Sequence, residues 1–85
     1  MPRFIIERQF AERLEVTKGV AANVQRVNDE VGVRWVISFL SADKRKTYCL
    51  YEAEDAEAIR EAARRADLPA DSIIEVDQIS PAMFA

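Results

Sequence analysis

Gly32-Val33-Arg34-Trp35-Val36-Ile37-Ser38-Phe39-Leu40-Ser41-Ala42-Asp43-Lys44-Arg45-Lys46-Thr47-Tyr48-Cys49-Leu50-Tyr51-Glu52 decides the fold of this chain. Two runs rich in β-branched and aromatic residues flank a polar connector, Ser41 to Lys46, which is the pattern of a β-hairpin. Simple alternation in the leading strand, Val33 to Leu40, sets Val33, Trp35, Ile37 and Phe39 on one face and Arg34, Val36, Ser38 and Leu40 on the other. In the returning strand, Lys46 to Glu52, it sets Thr47, Cys49 and Tyr51 against Tyr48, Leu50 and Glu52. Neither face of the hairpin is polar, so both need cover. The hairpin also holds the only Trp, the only Cys and both Tyr residues of the chain.

On the N-terminal side of the hairpin, Val16, Val20, Val24, Val27 and Val31 recur at spacings of four, four, three and four, one stripe of an α-helix. Thr17 is positioned as its N-cap and Gly32 as the residue that ends it. Before the helix, Arg3 to Phe10 reads as a strand, followed by a charged connector, Ala11 to Val16. After the hairpin the composition changes to Glu, Asp, Ala and Arg. A second helix begins at Glu54 or Asp55, turns Ala56, Ile59, Ala62, Ala63 and Ala66 inward, and stops at Asp67-Leu68-Pro69, because Pro69 has no amide to donate. Ser72 to Ile79 is a last strand, and Pro81 to Ala85 an apolar tail.

Strand, helix, strand, strand, helix, strand is the order of an α+β, ferredoxin-like βαββαβ sandwich. Right-handed crossovers place both helices on one face of a single antiparallel sheet. The other face is then bare yet apolar, which predicts a homodimer packed through it, with the Met83-Phe84 tail as a candidate to cross to the partner. Eighty-five residues suit one such domain, spanning 1–85.

A net charge of −3 and scattered basic residues argue against nucleic acid as a partner, since phosphate binding draws on clustered Lys and Arg. No apolar run approaches the length needed to cross a bilayer. One cysteine forms no internal disulfide, and no secretory pattern opens the sequence, so a cytoplasmic location is expected.

Several blocks together resemble a family of small bacterial ferredoxin-like proteins. They are Pro2 to Arg8, Gly32 to Ser38, Asp43 to Tyr51, Glu57-Ala58-Ile59-Arg60 and Leu68 to Ile73. The resemblance runs over nearly the whole chain. It implies the same fold and, because some members are described as dimeric nickel-binding proteins proposed to sequester the metal, nickel as the ligand. Asp67 stands where the family commonly has Gly before Leu-Pro. The chain has no histidine, so a nickel site would have to use carboxylates, the thiolate or backbone groups.

Two sets of candidate residues follow. For a metal, Glu7, Glu75 and Asp77 are expected to gather on the open sheet face, from adjacent first and last strands, either as ligands or as ion-pair partners for Arg8 or Arg34 across a dimer. Cys49 is the one available thiolate, with buried packing as its ordinary role. For an organic ligand, Trp35, Ser38, Tyr48 and Tyr51 are expected to line a pocket between sheet and helices. No catalytic residues are assigned: without histidine neither Ser38 nor Cys49 has a general base, and no glycine-rich phosphate loop exists. The expectation is a non-enzymatic dimeric binding protein for nickel or another divalent metal, with a small enzyme or small-molecule binder as the alternative.

Overall fold

The computed structural model describes residues 1–84. Its elements are β1 (Arg3–Gln9), α1 (Lys18–Val31), β2 (Arg34–Leu40), β3 (Lys46–Glu52), α2 (Ala56–Arg65), β4 (Ser72–Val76) and a closing 3-10 turn, Pro81–Phe84. The four strands form one antiparallel sheet in the order β2-β3-β1-β4, the ferredoxin-like arrangement.

Both helices are delimited as the sequence directs. Thr17 Oγ1 accepts the Val20 amide at the start of α1, and Gly32 ends it in the left-handed conformation at φ 85°. The Asp55 carboxylate accepts the Ala58 amide at the start of α2. Asp67 takes the left-handed conformation after α2, at φ 56°, and the Leu68 and Asp67 amides return to the Ala63 and Arg64 carbonyls. That is a Schellman closure with Asp in the seat usually held by glycine.

Phe4 and Ile6 of β1, Cys49 and Tyr51 of β3, Val27 of α1, Val33, Ala53, and Ile59 and Ala62 of α2 form the core between the sheet and the helix layer. The strand register sorts the remaining side chains. On the helix face, one rung holds Leu40, Thr47 and Arg8, the next Ser38, Cys49, Ile6 and Ile73, and the next Trp35, Tyr51, Phe4 and Glu75. On the open face, Phe39, Tyr48, Glu7 and Ser72 share one rung, Ile37, Leu50, Ile5 and Ile74 the next, and Arg34, Glu52, Arg3 and Val76 the last.

Two sequence expectations change here. The alternation read through β2 breaks at a β-bulge between Trp35 and Ile37, where Val36 is the extra residue. Trp35 therefore shares a face with Ser38 and Leu40, whereas Ile37 and Phe39 join Arg34 on the open face. The last strand ends at Val76 instead of Ile79, because its register partner there is Arg3, the first residue of β1. Asp77 lies beyond the sheet. No helix is long and apolar enough to cross a membrane.

Candidate functional site

The Val stripe of α1 is only half used by the core. Val24 and Val27 are buried, but Val20 and Val16, at the N-terminal end and just before it, stay exposed. That end of α1 stands off the sheet. The connector residues Phe10 and Leu14 form the facing lip, held by the Phe10 and Leu14 amides donating to the Arg45 and Lys44 carbonyls of the hairpin turn. The result is a cleft of about 100 Å³ floored by the helix face of the sheet, where Trp35, Ser38, Thr47, Cys49, Tyr51 and Arg8 meet.

The bulge makes this floor. It brings the Trp35 indole over Ser38, to whose Oγ the Nε1–H donates at 2.7 Å. Because Ser38 Oγ accepts that bond, its own hydroxyl hydrogen remains free to be offered elsewhere. Cys49 is buried with its Sγ 3.6 Å from Thr47 Oγ1. Tyr51 is buried too, and its hydroxyl accepts from Asn28 Nδ2 of α1 at 3.2 Å. Burial pushes the Tyr51 phenol above its ordinary pKa, opposed by the Asn28 bond and the nearby Arg8 charge.

Arg8 is the residue that sequence reasoning misplaced. Its side chain does not point across a dimer interface: the residue is 3% exposed and belongs to the helix face with Phe4 and Ile6. Nη1 donates to the Pro69 carbonyl at 2.5 Å, and the guanidinium lies 5.9 Å from the centre of the Tyr51 ring. The signal was available in the alternation of β1, where Phe4, Ile6 and Arg8 must share one face.

Of the residues expected to line a pocket, Trp35, Ser38 and Tyr51 do so and Tyr48 does not. Tyr48 stands on the open face opposite Phe39, where Lys46 Nζ lies 5.7 Å from its ring centre. The residues expected to hold a metal are dispersed. Glu7 is on the open face and accepts a 2.8 Å ion pair from Lys46, which raises the Lys46 pKa. Glu75 is paired with Phe4 and so belongs to the opposite face, contrary to the expected cluster. Its alternation with Ile74 and Val76 was read the wrong way round: Ile74 and Val76 are the pair that looks out of the open face. Cys49 lies under the helices. Among the described residues no three Cys, Asp or Glu side chains come close enough to share an ion. The donor set of a single chain does not fit a nickel site.

The sequence profile of the family described as nickel responsive protein SCO4226-like matches residues 4–76. The chain belongs to that family. The crystal structure of SCO4226 from Streptomyces coelicolor A3(2) superposes with a TM-score of 0.78 at 21% identity, covering 92% of this chain and 99% of that one. At that identity the likeness speaks for the shared fold. No curated protein matches the chain. Membership places the protein among relatives named for a nickel response.

Proposed function

We propose that this is a non-enzymatic, dimeric binding protein whose ligand is a small organic molecule seated in the cleft between α1 and the sheet. The observation that carries the reading is the cleft itself: a hollow walled almost entirely by apolar surface, with Val20, Val24, Leu14 and Trp35 in its walls and the side chains of Ser38, Thr47, Tyr51 and Arg8 also among its lining. Its volume is on the scale of the space that accommodates a single ring. A second copy is the proposed occupant of the open face, where an apolar band crosses all four strands between charged rungs.

The family's description favours a second reading, in which the protein binds Ni²⁺. Because one chain does not assemble the donors, such a site would form between two copies, with Glu7 of each brought together across the open face. It would have to displace Lys46 from Glu7.

One experiment separates the readings. Trp35, the sole tryptophan, lies in the cleft and reports on its contents by fluorescence. A panel of small ring compounds, neutral and charged, is titrated in parallel with Ni²⁺ followed by calorimetry. On the organic-ligand reading, at least one compound changes Trp35 emission saturably, and a cleft-filling Ala21→Trp variant, compared by calorimetry, does not bind it. If no compound binds, the cleft reading is wrong. Saturable heat with Ni²⁺ that disappears in Glu7→Gln and survives in Cys49→Ala would favour the metal instead.

A further inference from the structure

Arg8 carries a fixed positive charge into an apolar interior. A guanidinium stays protonated at any ordinary pH, and a buried one is costly unless an opposite charge faces it. Here none does: no ion pair among the described residues involves Arg8. Asp71, in the same loop as Pro69, directs its carboxylate at the Gln9 amide, 2.7 Å away. The Pro69 carbonyl and the Tyr51 ring partly satisfy Arg8, but both are neutral. No buried side-chain nitrogen sealed from all accessible space lacks a hydrogen-bond partner. The Arg8 nitrogens not engaged by Pro69 therefore keep a sliver of accessible surface, in keeping with a residue only 3% exposed, and Arg8 is among the residues that line the cleft.

We propose that the ligand of this cleft is an amphipathic monocarboxylate, its carboxylate held by Arg8 and its apolar body lying between Trp35 and the Val20–Val24 side of α1. The proposal rests on the organic-ligand reading above and specifies its chemistry. Charge selects an anion. The lining selects a monoanion with an apolar body, because Arg8 is the only cationic residue among those that form the cleft, and a phosphate would bring a second charge with nothing to meet it. Geometry adds to this. A planar carboxylate matches the guanidinium fork with two parallel bonds, and the free hydroxyl hydrogen of Ser38, one rung from Arg8 on the same face, is a further donor on the cleft floor.

The test uses the wild-type chain first. Benzoate, its neutral counterparts benzamide and benzyl alcohol, and inorganic phosphate are titrated against Trp35 fluorescence and melting temperature. Benzoate should bind saturably, with the neutral compounds weaker by on the order of 10- to 100-fold, the effect of losing a hydrogen-bonded charge partner. Phosphate should neither bind nor compete. In Arg8→Gln the preference for benzoate over benzamide should vanish while any residual ring binding persists. Equal affinity for benzoate and benzamide, or binding of the neutral compounds alone, overturns the carboxylate and leaves the organic-ligand reading standing. Tight phosphate binding overturns it in favour of a simple anion site. If no ring compound binds at all, both readings fall together. Should Arg8→Gln not fold, the wild-type comparison still decides.

Discussion

Tyr51 shows how much a single side chain does in this fold. Its ring fills the core against Phe4 and Trp35, its face receives Arg8, and its hydroxyl gives the buried Asn28 amide a partner. Replacing it with Phe keeps the ring and orphans that amide, at a cost of about 1–3 kcal/mol. The same residue sets an alkaline limit. Burial raises the folded-state pKa above 10.0, so below that pH the phenol is protonated in folded and unfolded chains alike and its contribution is fully present. As pH rises past 10.0 the unfolded chain releases its proton first, and the contribution is lost progressively as pH climbs through the folded value. Thermal melts between pH 8 and about 12 should therefore show wild type losing stability above pH 10.0 through this group, and Tyr51→Phe, less stable at neutral pH, losing less over the same interval. Parallel declines in the two proteins would contradict the assignment.

At the scale of elements, helix limits were legible because caps are local chemistry: Thr17, Gly32, Asp55 and the Asp67-Leu68-Pro69 stop each act through backbone groups a few residues away. The faces of β3 were legible for the same reason, since alternation is a property of one strand, and the same alternation in β1 sets Arg8 beside Phe4 and Ile6 instead of on the open face. What could not be read was the bulge at Val36, which carries no glycine to mark it, and with it the union of Trp35 and Ser38 on the cleft floor. Nor could the half-lifted α1 be read, because a uniform valine stripe does not say which end the sheet will cover. The placement of Glu75 failed through register: its face is set by its pairing with Phe4, a contact 71 residues away in sequence. The bulge makes a test of this account. Val36 is the extra residue, so deleting it returns β2 to regular alternation with Trp35, Ser38 and Leu40 still facing the helices and Ile37 and Phe39 still facing out. The deletion should give a folded protein with the circular dichroism of wild type. Deleting Phe39 instead shifts Leu40 to the wrong face and breaks its pairing with Thr47, and that variant should melt well below the other. Equal loss of structure in both would show that the strand does not tolerate realignment at all.

The whole molecule leaves one sheet face uncovered, and the pattern on that face is organised. Ile37, Leu50, Ile5 and Ile74 cross all four strands in one rung, flanked by Phe39 and Tyr48, with Phe39 62% and Ile74 58% exposed. Charged pairs bound the band at both ends: Glu52 accepts Arg34 and Arg3 on one side, and Glu7 accepts Lys46 on the other. An apolar centre inside a polar rim is how protein interfaces are built, and a rim of self-paired charges suits a twofold contact in which the same surface serves both copies. If the face is a dimer interface, sedimentation of the wild-type chain should give twice the 9.7 kDa of one protomer. Phe39 is the residue on which to test it, because it flanks the band and is 62% exposed in the protomer, so a charge there costs the isolated fold little. Phe39→Asp should sediment as a monomer with its circular dichroism unchanged and should still bind the cleft ligand, whose walls lie on the opposite side of the sheet. A wild-type protein that stays monomeric at high concentration would dispose of the interface, and with it the two-copy nickel site, while leaving the cleft and Arg8 untouched.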